Sequence, residues 1–448
     1  MVRAATANHA SVVVLNTCTV TAAADQDARA AIRRLRRNNP EVQIVVTGCY
    51  AQRAPEEIAA LPGVSLVVGN SHKHQLAEIT LSANSIPQAD SSFVPITTLS
   101  QRRTTNDQRP IFVSDIFAHT ELLAAPVFDA ANERTRPNLK VQDGCDNRCS
   151  FCVIPFVRGQ SRSLGMDRIL GEVRSLVDAG YREVVISGIN LGRWGRDLES
   201  TSTRVGTAAL GCPGEQSSPA SFVNLIRTIL AETTLEKLRI SSVEPMDWSD
   251  DLIHLVASSP RIARHAHVPM QSGSDAVLRR MHRKYRPWHY REKIEKIRAA
   301  MPTAAIGADV MVGFPGETDS EFEATRQMID DLPFTYLHVF TYSARPGTPA
   351  ASMPNQVPVH LARERNRILR ELAAEKKLAF MRSFIGKNVE AITLNVGGSD
   401  SDGAYTEALT DNYLKLRLRG EHAPNQWQTV LAQQVHAGLL VGASVGCQ

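Results

Sequence analysis

The stretch that most constrains this chain is Val141-Gln-Asp-Gly-Cys145-Asp-Asn-Arg-Cys149-Ser-Phe-Cys152-Val-Ile-Pro. A C-x3-C-x2-C spacing puts three thiolates on one tight loop, close enough to grip three corners of a cube-shaped iron–sulfur cluster. The fourth iron then stays open to a small chelating ligand. Two plainer readings compete. A structural zinc site takes four ligands, commonly two C-x2-C pairs or a histidine at the second pair, and no such spacing follows here. A disulfide framework suits an even number of cysteines in a short chain, whereas 448 residues bury enough core without staples.

Which reading holds depends on the compartment, and there composition helps. Hydrophobic content of 43% and charged content of 21% are those of a soluble globular protein. No run of 18 apolar residues occurs, and residues 1–10 lack the charged start and apolar centre of a signal peptide. The expectation is a cytoplasmic protein with no membrane contact, in which the seven cysteines are metal ligands or bystanders. A formal charge of +4 permits an anionic partner without demanding one.

Periodicity divides the chain. Residues 11–16 (SVVVLN), 42–47 (VQIVVT) and 64–68 read as buried strands and 22–38 as a basic amphipathic helix. Alternating strands and helices imply a parallel sheet with functional residues at the carboxyl ends of its strands. Cys18 and Cys49 follow the first and second strands. A lone cysteine at a strand end is usually a small buried residue, but two at equivalent ends of neighbouring strands favour a shared site. Residues 81–137 are polar and read as a linker with one short helix or strand near 111–117.

Six strand and helix units follow, with strands at 139–142, 183–187, 237–241, 265–269, 306–312 and 336–341. A Gly, Ser, Thr and Pro rich stretch at 193–221, carrying Cys212, reads as a surface insertion. A long basic helix is expected at 358–385, then short strands at 389–394, 404–410, 413–418 and 438–445. On the third of these, Lys415, Arg417 and Arg419 share one face with Tyr413 beside them, which suits a phosphate backbone and a stacked base. Charged protection of an edge strand explains the same pattern.

The three-cysteine loop resembles the signature of the radical S-adenosylmethionine (SAM) enzymes, and the segments Asn16-Thr-Cys-Thr-Val-Thr21 and Thr47-Gly-Cys-Tyr-Ala-Gln52 resemble the amino-terminal domain of the methylthiotransferases within them. With Pro269-Met-Gln-Ser-Gly-Ser274 and Phe340-Thr-Tyr-Ser-Ala-Arg-Pro-Gly-Thr-Pro349, the pattern is most similar to the branch acting on threonylcarbamoyladenosine beside the tRNA anticodon. The resemblance implies an α/β fold of three domains, an amino-terminal parallel-sheet domain (1–83), a radical SAM partial (β/α)6 barrel (131–372) and a long helix with a small TRAM-type β barrel that contacts RNA (373–448), with a linker (84–130) after the first. It implies a 4Fe-4S cluster on Cys145, Cys149 and Cys152 whose open iron takes SAM, and a second, auxiliary 4Fe-4S cluster to which Cys18 and Cys49 belong. The family's first auxiliary cysteine lies on an earlier strand that this sequence does not contain, so the expectation is a truncated amino terminus and a labile auxiliary cluster. Cys212 or Cys447 would be substitutes, neither in a matching context.

SAM contacts are implied after successive barrel strands, at Gly188 and Asn190, at Ser242 and Glu244, at Gln271 and Ser272, and at Gly313 in Val312-Gly-Phe-Pro-Gly-Glu317. Glycine and serine there would otherwise simply make turns. The implied partners are tRNA, an electron donor such as flavodoxin or ferredoxin, and a sulfur donor. Relatives that act on isopentenyladenosine in tRNA share the chemistry. So do those acting on a ribosomal-protein aspartate, which the resemblance disfavours because Ser272 rather than histidine follows Gln271. A non-catalytic iron–sulfur RNA-binding protein is the alternative from another class.

Overall fold

The computed structural model describes residues 7–84, 109–119, 122, 135–198, 220–400 and 403–445. These fall into two compact units, each discontinuous in sequence. No helix among the described residues is long and apolar enough to cross a membrane.

The first unit comprises residues 1–121, 144–160 and 343–352. Its sheet is parallel throughout, in the order β1 (Val12–Thr17), β2 (Gln43–Gly48), β3 (Val64–Gly69), β4 (Ile111–Phe112). The central strands β2 and β3 are runs of Val, Ile and Leu buried on both faces, as helix-covered parallel strands must be. The helix Ala22–Asn38 is started by Thr21, whose hydroxyl accepts the Ala24 amide, and it places Ile32 against Ile44 and Val46 in the core. Beyond β4, a short 3-10 turn at Ile116–Ala118 completes the structure expected near 111–117.

The second unit comprises residues 122–143, 161–342 and 353–448. Its parallel strands are β5 (Asn138–Lys140), β8 (Glu183–Ser187), β9 (Lys237–Ile240), β10 (His265–His267), β11 (Ala305–Val312) and β12 (Tyr336–Thr341), with an antiparallel pair, β6 (Gln142–Asp143) and β7 (Arg162–Ser163), after the first. They run β5-β8-β9 and β10-β11-β12, and the two triplets meet through bridges from Leu238 to Ile262 and from Ser242 to His267. Six parallel strands are therefore present, with the first shorter than expected. Just past β5, the Gln142 side chain donates to Ser161 Oγ and accepts from the Asn190 amide. Side-chain caps start the intervening helices: Ser249 for Asp250–Ser258, Ser274 for Asp275–Arg280, and a capping box of Thr318 and Glu321 for Asp319–Asp331.

The helix Val359–Arg382 leads into a closed barrel, β13 (Asn388–Asp400), β14 (Gly403–Thr410), β15 (Lys415–Arg419), β16 (Trp427–His436) and β17 (Leu439–Ser444), in the order β13-β14-β15-β17-β16. Its core is small, built from Ala391, Ala408, Leu416, Leu418, Val430, Ala432 and Leu440. Strand β16 was absent from the sequence expectation because only Val430 and Ala432 of its ten residues are buried, too sparse an alternation to read. Tyr413 also differs. It lies in the turn before β15 with a φ of 68°, and its ring packs on His265 and Tyr336 of the barrel at 4.6 and 5.5 Å rather than beside the basic strand. The aromatic that Arg417 does cover is Tyr405, 4.5 Å from the ring centre, on the neighbouring strand β14.

Candidate functional site

In the first unit the register of the sheet sets the positions of two cysteines. Thr17 of β1 pairs with Gly48 of β2, so Cys18 and Cys49 are each the next residue after a matched pair. Parallel strands lie about 4.8 Å apart, and both thiols therefore leave the same sheet edge at its carboxyl end. Gly48 makes this possible: its φ of 103° suits glycine, and a Cβ there would collide with the Thr17 carbonyl. Cys18 is exposed and Cys49 buried.

The three-cysteine loop belongs to the same unit. None of its cysteines, nor Cys18 or Cys49, is in a disulfide. Backbone amides point at the sulfurs, Asn147 N–H to Cys145 Sγ and Ile154 N–H to Cys152 Sγ, both at 3.4 Å. The loop closes on itself through Cys152 N–H to the Cys149 carbonyl and Cys145 N–H to the Gly159 carbonyl. Half-buried thiols on one loop with amide donors aimed at them are the donor set that holds an iron–sulfur cluster, so the residues present fit that group.

The short helix Ile154–Arg158, started by Pro155, joins the loop to the sheet. Val153, Ile154 and Val157 pack against Cys49. From its last residue, Arg158 Nε donates to Cys49 Sγ at 3.0 Å. Asn70, just past β3, donates from one amide group to the Val157 carbonyl at 2.8 Å and to Cys49 Sγ at 3.5 Å. A guanidinium and an amide therefore face the sulfur of Cys49.

A second set of contacts fixes the residues beside Cys18. Thr19 is fully buried, and its hydroxyl donates to Asp25 Oδ1 at 2.6 Å. Arg53 and Arg345 both reach this pair, at 2.9 and 2.5 Å from Asp25 Oδ2. Arg345 comes from the Phe340 to Pro349 motif, whose neighbours Ser343 and Ala350 bond the Ala22 amide and the Ser150 carbonyl. Two guanidiniums share one carboxylate here. Removing either partner of such a buried arrangement is costly.

Sequence reasoning placed the five cysteines but not Arg158, Asn70, Asp25 or Arg345. A signal existed for two of them: Arg158 ends the apolar turn directly after the third cysteine, and Arg345 sits inside a motif already singled out. Cys212 and Cys447 lie outside the described residues.

In the second unit, the seven residues expected around SAM stand after the barrel strands as foreseen, and most have a protein partner. The Gly188 backbone lies against Gln142, leaving no room for a side chain, and the Asn190 amide donates to Gln142 Oε1 at 2.7 Å. Ser242 Oγ bonds His267 Nδ1 at 2.9 Å, and Glu244 is ion-paired with Arg283. Ser272 Oγ shares a hydrogen bond with Thr325 and accepts the Ser274 amide. Gln271 adopts a φ of 63°, and its buried Oε1 has no hydrogen-bond partner.

The Gly313 amide donates to Glu317 Oε2 at 2.7 Å, and Arg365 from the long helix reaches the same oxygen at 2.7 Å. Burial pushes the Glu317 carboxyl up, against the opposing pull of these two donors. The glycine loop is thereby pinned to the helix that leads to the terminal barrel. Nearby, burial pushes the His338 imidazole down and holds that of His265 well below its ordinary range.

The radical SAM superfamily matches residues 139–329, and uncharacterized protein family UPF0004 matches residues 1–69. The chain is 36% identical to threonylcarbamoyladenosine tRNA methylthiotransferase MtaB of Bacillus subtilis, over 92% of this chain and 82% of the relative. The protein of the same name from Aquifex aeolicus is 33% identical over 92% and 88%. The tRNA-2-methylthio-N(6)-dimethylallyladenosine synthase of Nocardia farcinica is 34% identical over 93% and 76%.

Proposed function

The chain belongs to the radical SAM tRNA methylthiotransferases, and from that premise we propose that it adds a methylthio group to C2 of N6-threonylcarbamoyladenosine at position 37 of tRNA. One observation carries the choice of nucleoside: relatives named for that substrate match over nearly their whole length. The family's cofactors are 4Fe-4S clusters and SAM.

Cys145, Cys149 and Cys152 would hold the SAM-binding cluster, with loop amides donating to Cys145 Sγ and Cys152 Sγ. A cluster held there would supply the one-electron reduction of the SAM sulfonium that yields a 5′-deoxyadenosyl radical. Gly188 and Gly313 offer backbone at close approach, Asn190 and Gln271 offer amides, and Ser242, Ser272 and Glu244 shape the polar wall around the cofactor. Cys18 and Cys49 are thiolates of the auxiliary cluster, with Arg158 offsetting negative charge at Cys49. Lys415, Arg417 and Arg419, on the outward face of β15, track tRNA phosphates. Electrons come from a flavodoxin or ferredoxin class donor and sulfur from a separate donor, in the cytoplasm.

The second reading, dimethylallyladenosine as substrate, is favoured by the Nocardia relative. Mass spectrometry of tRNA nucleosides from cells lacking the protein decides between them. Loss of methylthiolated threonylcarbamoyladenosine alone is expected. Loss of methylthiolated isopentenyladenosine instead would replace the proposal with the second reading.

A further inference from the structure

Inside the second unit, three side chains from three adjacent strands converge where none of the roles above uses them. His267 ends β10, Asp309 lies on β11 and His338 on β12. The pleat brings them together. His267 pairs with Gly307, Gly307 with Tyr336, and Asp309 with His338, so residues two apart on each strand share one face. The ligand atoms of the three side chains all lie within 4.8 Å of one another. His267 Nε2 lies 3.3 Å from Asp309 Oδ1. An ion bound tetrahedrally at about 2.0–2.1 Å holds its ligand atoms about 3.3 Å apart.

Two further observations point to a ligand rather than to a satisfied core histidine. His267 is 9% exposed, and its Nε2 has no hydrogen-bond partner despite the nearby carboxylate. A buried nitrogen left this way costs stability unless something else completes it. The ring is also oriented from behind, since Nδ1 is held by Ser242 Oγ at 2.9 Å. That outer contact fixes which nitrogen faces Asp309, as metal-binding histidines require. Gly307 leaves the space in front to the Tyr336 ring, which stacks on the His267 ring with centroids 6.1 Å apart. His338 is the exposed member, free to swing in by rotamer change.

We infer that His267, Asp309 and His338 form a site for a single divalent first-row metal ion of the zinc or ferrous class, distinct from the cysteine-held clusters. Two imidazoles and one carboxylate are a borderline-soft donor set that leaves at least one coordination position open. The site clips β10, β11 and β12 together across the inner face of the barrel.

Zinc is the probe, because it is redox-inert and is counted separately from cluster iron. The protein with its clusters assembled anaerobically, so that the cysteines are occupied, is incubated with zinc and desalted; zinc and iron are then measured by mass spectrometry. About one zinc per chain is expected. His338→Ala, and separately Asp309→Asn, should bind zinc at least about tenfold more weakly with iron content unchanged. Zinc absent from the native protein, or retained equally by native protein and both variants, overturns the site. So does a protein that holds no zinc but whose His338→Ala variant shows a raised KM for tRNA, since His338 would then contact substrate.

Discussion

Cys49 is buried and its sulfur accepts from side chains, Arg158 Nε and Asn70 Nδ2, whereas Cys145 and Cys152 are half-buried and accept from amides of their own loop, Asn147 and Ile154. The first arrangement draws its donors from distant parts of the chain; the second draws amide donors from its own loop. Both surround sulfur with hydrogen-bond donors, as outer contacts to a metal-ligating sulfur do. The difference teaches that a self-contained loop tolerates change around it, while the strand-end site depends on the tertiary structure that delivers its donors.

The largest expected effect separates the two sites outright. Cys149→Ala should abolish 5′-deoxyadenosine formation by the reduced protein and lower iron by about four atoms per chain, with tRNA affinity in a filter-binding assay nearly unchanged. A variant that still cleaves SAM would break the assignment of the loop. Cys49→Ser should show the opposite pattern, retaining 5′-deoxyadenosine formation while methylthiolated nucleoside disappears from the product tRNA. If both activities vanish together with all iron, the two sites are not independent.

Smaller effects concern the supports. Asp25→Ala leaves the buried Arg345 guanidinium without its carboxylate and takes one partner from the half-buried Arg53, and should cost about 3–5 kcal/mol in denaturant unfolding. A loss below about 1 kcal/mol would mean that the network is solvated and does not fix the Cys18 loop. Arg158→Leu should cost about 1–3 kcal/mol through the unmet sulfur and packing, and it should release iron from the auxiliary site faster than from the loop when a chelator is added. Equal release rates would remove the contrast between the sites.

The smallest effect lies away from both sulfur sites and serves as their control. Burial holds the His265 imidazole well below its ordinary value of about 6.5, so the native state keeps it neutral. Its stabilising contribution is complete above that value and is lost as pH falls toward the folded-state value, where the unfolded chain binds the extra proton. His265→Gln should therefore narrow the drop in Tm between about pH 7.5 and 5.5 while leaving iron content alone. An unchanged drop would assign the acid sensitivity to other groups.

Much of this molecule was legible without coordinates. The parallel strands were readable as Val and Ile runs, the six barrel strands lay close to their expected positions, the loop cysteines were marked by their spacing, and Cys18 and Cys49 by their places after strands. These are local signals: a strand needs its own apolar pattern, and a three-ligand loop needs only a few consecutive residues. Strand β16 escaped because its apolar residues are few, and Tyr413 was misplaced because a positive φ cannot be read from a tyrosine.

What the amino-acid sequence determined by itself was the chemistry available: three cysteines on one loop, two more at matched strand ends, and the strand pattern of a barrel. Which side chains face those sulfurs was decided only by folding, because Arg158 reaches Cys49, and Arg345 reaches Asp25, across sequence separations of 109 and 320 residues. Contacts of that range are fixed by strand register and helix packing, which no local pattern encodes.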